Sequence, residues 1–312
     1  MSDSGLRYAT LDVFTSTKFA GNPLAIVELP SSANLSQEQK QTIAREFNYS
    51  ETVFLHTRQE HTQGHQWKID IFTLDQELPF AGHPTIGTAC HVLSLVAKES
   101  PLGSETIKGS FITKAGKIHL EYDHLKQVAK AAIPHNVHAH EGTFSHEQVL
   151  EVQNGLRGSN VSLERSPVVS IVKGMTFILV DLKNEETLGR CKPTANHAKV
   201  QLDQEWEPSF VGMYFYIHLP DSEDGTRNLR TRMIEGALED PATGSAACTL
   251  ASFLSQQRDG PGTTTRYKIT QGVEMGRKSD IGVEVTLGEH REVVSVELIG
   301  AAAQIMQGNL SL

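Results

Sequence analysis

Cysteine is scarce: the 312 residues hold three, Cys90, Cys191 and Cys248, an odd number with no C-x-x-C spacing. So sparse a set excludes a disulfide-built scaffold and fits reduced thiols in a reducing compartment, with the cytosol as the expected location. Positive charge is also short. Lys and Arg number 28 against 37 Asp and Glu, a net charge of −9 with His neutral, and the basic residues never form a longer run than a pair. A nucleic-acid binder presents a basic patch, so neither polynucleotides nor anionic membranes are expected partners. Long apolar runs are missing as well, and nothing approaches the roughly 18 residues that a transmembrane helix needs. Residues 1–11 lack the basic segment and apolar stretch of a secretory signal. Leu310-Ser311-Leu312 lacks the basic middle residue of a peroxisomal address. What remains, 38% hydrophobic and 21% charged residues with 25 Gly and 12 Pro, is the composition of a globular chain. Its length leaves room for two domains of about 150 residues each.

Two halves are visible in the sequence itself. Gly21-Asn22-Pro23-Leu24-Ala25-Ile26-Val27-Glu28-Leu29 can be laid on Gly174-Met175-Thr176-Phe177-Ile178-Leu179-Val180-Asp181-Leu182, each a Gly turn followed by an apolar strand. His83-Pro84-Thr85-Ile86-Gly87-Thr88-Ala89 can be laid on Asp240-Pro241-Ala242-Thr243-Gly244-Ser245-Ala246, with Pro, Gly, a small hydroxyl and Ala in register. A weaker third pair sets Lys108-Gly109 on Gln271-Gly272, with strands ending near Ile118-His119-Leu120 and Val283-Glu284-Val285. Three matches in one order, at nearly constant offset, point to a duplicated chain. The expected division is 1–125 and 126–297, with a strand at 298–312 available to return to the first half.

Within each half the pattern is strands, one apolar helix, then strands. Thr85–Ala97 and Ala242–Leu254 are rich in Ala, Val and Leu with few charges, so each helix is expected to be buried nearly all round. Strands wrapping a central helix would explain that. Alternation and β-branched content place strands at Lys68–Thr73, Val168–Val172, Met213–Leu219 and Gly282–Leu287. Ser36–Phe47 reads as a polar outer helix capped by Ser36, with Glu38 and Gln39 in its first turn. A loop over Asp123–Ser145, carrying His135, His138 and His140 with His146 just beyond, is expected to join the halves.

His83-Pro84 and Asp240-Pro241 each place a polar residue before Pro and a helical run. Plain capping would account for this. The functional alternative is that two related helix starts aim free backbone N–H groups and positive dipole ends into one cleft, where they would hold a carboxylate. Gly82, Gly87 and Gly244 would admit a ligand close to the backbone, and Thr88 or Ser245 could add a hydroxyl bond. Glu51 opens an apolar strand; it is either solvated there or, if enclosed among apolar neighbours, raised in pKa and competent as acid and base near neutral pH. Other signals are weak. His138-x-His140 without a firm acidic or thiol partner reads as a solvated loop and gives no metal site. The phosphate-loop pattern near Gly116-Lys117 fails at Phe111 and Ile118, and no Gly-x-Ser-x-Gly elbow occurs. Asn34, Asn48, Asn160 and Asn309 lie in glycosylation-type triplets that carry no meaning without secretion.

A family resemblance rests on five stretches. Phe19-Ala20-Gly21-Asn22-Pro23, Ser50-Glu51-Thr52, Leu78-Pro79-Phe80-Ala81-Gly82-His83-Pro84-Thr85, Glu239-Asp240-Pro241-Ala242-Thr243-Gly244-Ser245-Ala246 and Gln271-Gly272-Val273-Glu274-Met275-Gly276-Arg277 together resemble the PhzF-like (phenazine biosynthesis-like) isomerases. The resemblance implies an α+β fold of the diaminopimelate epimerase type: two similar halves, each a β-barrel-like sheet around a central helix, with the active site in the cleft between them. It implies Glu51, His83 and Asp240 as catalytic residues, with Glu51 carrying a proton from one substrate carbon to another. It implies Asn22, Gly82, Gly244 and Ser245 as substrate-binding positions. It further implies a small carboxylated substrate, no metal or organic cofactor, and a homodimer. Sibling racemases of this fold use one thiol at each helix start; here those starts contain none, and Cys90 and Cys248 lie deeper in the helices, where they read as core residues. The alternative function is a metabolite-binding or interaction protein with little catalysis, against which the joint presence of Glu51, His83 and Asp240 argues.

Overall fold

A computed structural model describes residues 5–58, 64–99, 106–158 and 165–311. Asn160, the first four residues and Leu312 lie outside them. The chain divides into two compact units, residues 1–133 with 299–312, and residues 134–298.

The first unit runs β1 (Leu6–Val13), β2 (Asn22–Leu29), α1 (Gln37–Phe47), β3 (Thr52–His56), β4 (Gln66–Phe72), β5 (Glu77–Leu78), α2 (Gly82–Glu99), β6 (Thr106–Thr113), β7 (Gly116–Asp123) and β8 (Val128–Ala132). The second runs β9 (His138–Phe144), α3 (His146–Val152), β10 (Ser166–Val172), β11 (Met175–Asp181), α4 (Glu185–Arg190), β12 (Phe210–His218), β13 (Arg227–Glu235) and β14 (Leu238–Asp240). It continues through α5 (Gly244–Arg258), β15 (Thr264–Gln271), β16 (Ser279–Leu287) and β17 (Val293–Gly300). The last strand, β18 (Ala302–Leu310), pairs antiparallel with β1 in the first unit.

The two units repeat one pairing scheme. In the first, β1–β2 is antiparallel, β2–β3 parallel, β3–β4 antiparallel, β4–β6 parallel and β6–β7 antiparallel. In the second, β10–β11, β11–β12, β12–β13, β13–β15 and β15–β16 follow with the same senses. β18 against β1 has its counterpart in β9 against β10. Each sheet curls about one helix: α2 packs on β1, β2, β3, β6, β7, β8 and β18, and α5 packs on β10, β11, β15 and β16. This is the α+β, diaminopimelate epimerase-like architecture.

Packing explains why these two segments are central helices. α2 buries Ile86, Ala89, Val92 and Leu93, and α5 buries Ala246, Ala247, Leu250, Ala251 and Leu254. Gly87 lets α2 approach closely, since a Cβ there would lie 2.5 Å from Leu24 and 2.6 Å from Val13. The opposite sheet faces take smaller helices. α1 covers a core of Leu6, Val27, Leu29, Ile43, Phe54 and Phe72, and Ser36 with Gln39 forms the reciprocal capping box that starts it. Gly21 and Gly174 hold positive φ of 69° and 90° directly before β2 and β11, which a glycine adopts at least cost.

Three expectations are corrected. Residues 123–145 are not one loop: β8 and β9 occupy most of it, and His138 and His140 meet the carboxylate of Asp203 there. The third repeat pair is out of register, because Gly109 lies inside β6 whereas Gly272 follows the end of β15. Asp240-Pro241 is not a cap: α5 starts at Gly244 with Thr243 as its N-cap residue, and Asp240 closes β14.

Candidate functional site

In the first unit two candidate residues come together. Glu51 sits between the left-handed C-cap of α1, Asn48 with φ 55°, and the apolar strand β3, so the chain delivers it at the strand's entry. His83 is the second residue of α2. Its Nδ1 lies 3.2 Å from Glu51 Oε2, with only 5% of the His83 side chain and 19% of the Glu51 side chain exposed. His83 Nε2 lies 3.1 Å from the carbonyl of Pro23. A carbonyl can only accept, so Nε2 carries a hydrogen, and the Nδ1–Glu51 contact must then share one further proton between them. That makes the pair either carboxylate with imidazolium or carboxylic acid with neutral imidazole.

Burial alone pushes the Glu51 carboxyl upward, as expected of an enclosed acid. The His83 charge, its hydrogen bond and a bond from Ser50 outweigh that burial, so Glu51 is held below the ordinary carboxylate value of 4.5. Enclosure was legible as a question in the sequence; the counter-charge 32 residues away was not. Asn22 is buried at the first position of β2, and Gly82 opens α2.

Asp240, in the second unit, is fixed by a buried polar network. Its Oδ2 accepts from the Thr243 hydroxyl at 2.5 Å, and its backbone carbonyl accepts from Gln271 Nε2 at 2.7 Å. Gln271 Nε2 also donates to Thr243 Oγ1 at 3.1 Å, while Gln271 Oε1 accepts from Tyr214 OH at 3.1 Å and from Thr243 N at 3.4 Å. The Thr231 hydroxyl donates to Tyr214 OH at 2.9 Å. Every hydrogen-bonding site of the fully buried Gln271 amide is therefore used. Burial pushes the Tyr214 phenol well above its ordinary value, so it stays a neutral donor. The Thr243 hydroxyl donates to Asp240 and accepts from Gln271, and gives no side-chain cap to α5, whose first turn begins with Gly244 and Ser245.

Sequence reasoning used Gln271 as a repeat marker and as part of a family stretch, without a role, and passed over Tyr214 and Thr231. Their signal is polarity at positions where the strand pattern demands apolar residues, and it becomes readable only once burial is known. Beneath Asp240, the short strand β14 is held by a bidentate pair, Arg232 Nε to Glu239 Oε1 at 2.7 Å and Arg232 Nη2 to Glu239 Oε2 at 2.8 Å.

None of the three thiols is poised for chemistry. Cys90, Cys191 and Cys248 are buried; burial pushes the first two up to about 12 and the third upward as well. A cavity of about 390 Å³ opens at the far end of β3, lined by His56, Arg58, Gln66, Trp67 and Lys68 among others, and contains none of the candidate residues. Among the described residues, no helix is long and apolar enough to cross a membrane.

Comparison with known proteins agrees with this architecture. The phenazine biosynthesis-like protein family matches residues 11–308. An uncharacterized isomerase of Mesorhizobium japonicum is 31% identical over 97% of this chain and 98% of its own. The trans-2,3-dihydro-3-hydroxyanthranilate isomerase of Pseudomonas aeruginosa is 32% identical over 98% of this chain and 99% of its own. Among solved structures, a Bacillus anthracis phenazine biosynthesis protein of the PhzF family superposes with a TM-score of 0.77 at 20% identity, covering 99% of this chain and 100% of its own. A hydroxyproline epimerase from Agrobacterium vitis superposes with a TM-score of 0.60 at 13% identity, covering 98% and 92%, and shares the fold. Matched along nearly its whole length by the family and by its isomerase relatives, the chain belongs to the phenazine biosynthesis-like protein family and is an isomerase.

Proposed function

We propose that the chain moves a proton between two carbons of a small carboxylated metabolite, with Glu51 as the single acid and base and without a cofactor. The observation that supports this reading most directly is the enclosed Glu51–His83 pair, one carboxylate with one shared proton and a fixed imidazole tautomer. The Glu51 carboxylate takes a proton from a carbon next to an electron-withdrawing group, becoming a carboxylic acid, and the substrate becomes a delocalised carbanion. The same proton then passes to a different carbon of that anion. Atoms and charge balance within the enzyme and one substrate, and the oxidation level of the substrate does not change.

His83, carrying Nε2–H against Pro23, offsets the Glu51 carboxylate charge, and His83 and Asp240 assist proton movement, each from its own unit. Asn22, Gly82, Gly244 and Ser245 are assigned to substrate binding, with the weakly capped start of α5 suited to an anion. The substrate class agrees with the relative from P. aeruginosa, whose named substrate carries a carboxylate.

The test is Glu51→Gln, which keeps the shape and removes the base. Turnover should fall by at least 10³-fold, within the range expected for loss of a general base assisted by positioning, while ligand affinity changes little. Incubation in deuterated water should label the product of the wild-type enzyme where exchange competes with return of the proton. Undiminished turnover in the Gln variant would overturn the assignment.

A further inference from the structure

His138 and His140 stand two residues apart on β9, on one side of the strand, and face Asp203 from a distant segment of the same unit. His138 Nε2 lies 2.7 Å from Asp203 Oδ2, and His140 Nδ1 lies 3.6 Å from the same oxygen. The three donor atoms fall within 4.8 Å of one another. We propose that His138, His140 and Asp203 form a binding site for one borderline divalent cation of the zinc, nickel or copper type, held by two imidazole nitrogens and one carboxylate oxygen.

The donor set suits such an ion: neutral imidazole and carboxylate are its usual nitrogen and oxygen ligands, and three protein ligands leave room for water. A tetrahedral ion with bonds of about 2.0–2.1 Å separates its donors by about 3.3 Å, close to the distance found between His140 and Asp203. His138 is one-third exposed, and a turn of its ring against Trp206 would close the remaining gap.

The groups that would orient His140 are already in place. His140 Nε2 faces the Ser170 hydroxyl at 2.9 Å; Ser170 Oγ contacts Thr176 Oγ1 at 2.7 Å, and Thr176 Oγ1 contacts Ser209 Oγ at 2.7 Å. With the backbone N–H of Asp203 directed at His140 Nδ1 at 3.1 Å, the ring hydrogen is placed on Nε2 and the lone pair on Nδ1, toward the site. A hydrogen-bonded outer partner that fixes the tautomer is what metal-bound histidines recurrently have. The ion would replace two hydrogen bonds, the Asp203 N–H on His140 and the His138 N–H on Asp203, with two coordinate bonds. The Glu141 N–H at 3.2 Å from Asp203 Oδ1 continues to orient the carboxylate. Trp206 stacks on His138 with centroids 4.4 Å apart and an interplanar angle of 8°, so the site carries its own optical reporter.

The experiment uses the full chain, stripped with a chelator. Zn²⁺ is titrated by calorimetry, and Cu²⁺ is titrated against tryptophan emission in a Trp67→Phe background, where Trp206 is the remaining indole. One equivalent of ion should bind, and Cu²⁺ should quench Trp206 saturably at that stoichiometry. His138→Gln and Asp203→Asn should each weaken binding at least tenfold, whereas His135→Gln and His146→Gln should not. X-ray absorption of the zinc-loaded wild type should show two imidazoles and oxygen at about 2.0–2.2 Å, a readout independent of how the variants fold. Absence of one-to-one binding, affinity unchanged in both ligand variants, or an absorption spectrum without two imidazoles would overturn the site.

Discussion

At the scale of residues, Glu51 and His83 are one chemical object. The carboxyl is burdened by burial and rescued by the imidazole beside it, so its ionisation is set by the pair. Removing the ring and keeping the shape, as in His83→Asn, leaves the burial without its counter-charge. On the proposed role of Glu51, the acid limb of the kcat/KM profile, which would report its protonation, should lie below pH 4.5 in the wild type and move upward in the variant. A pH series of initial rates decides it, and an unmoved limb would show that another group sets it. The same pair has a stability consequence of definite sign. Because the folded-state value is depressed, Glu51 contributes stability at pH values above its unfolded value near 4.5, and that contribution disappears as pH falls through the folded value. The family resemblance could name both residues, because each lies in one of the stretches that carry it, whereas the local pattern alone left both open. It could not supply the sign of the pKa shift, which depends on the contact between them.

Individual elements differ in how openly they declared themselves. The four strands expected from alternation fall within or against β4, β10, β12 and β16, and the two apolar helices overlap α2 and α5, because burial on one face or all round leaves a direct mark on composition. β8 and β9 left almost none. Val128–Ala132 alternates through alanine, a poor strand former, and β9 buries only His140 and Phe144, so both are strands by virtue of their partners. β14 is a different case, three residues whose position rests on the Arg232–Glu239 pair, with side chains only 5% and 9% exposed. Arg232→Met should cost about 3–5 kcal/mol by leaving the Glu239 carboxylate buried and uncompensated. Urea denaturation measures that loss. A second consequence is a fall in activity even where the variant remains folded, because β14 ends on Asp240. A change under 1 kcal/mol would mean that Glu239 finds solvent in the native state.

For the whole molecule, the repeated order of parallel and antiparallel pairings is more telling than any stretch of sequence. The first pair of aligned segments marks equivalent points of the two units, a Gly turn before β2 and before β11; the second is offset, since His83 lies inside α2 whereas Asp240 closes β14 ahead of α5, and the third is out of register, since short Gly-containing pairs recur by chance where pairing patterns do not. The first unit depends on β18, whose register with β1 runs from Leu6 against Leu310 to Val13 against Ala302. Deleting residues 302–312 exposes one edge of β1, and the truncated protein should be recovered mainly in aggregates or unfold without a cooperative transition. Light scattering and thermal melts check this, and a soluble variant with an unchanged midpoint would show β18 to be dispensable.

That closing strand also bears on how the protein is made. A ribosome releases residues 134–298 before residue 302, so the later segment has all its own strands in hand while the earlier one still waits for its partner to leave the exit tunnel. Maturation of the first unit is thereby tied to synthesis of residues 302–310, after the whole of the second unit, reversing the usual order in which domains become complete during synthesis.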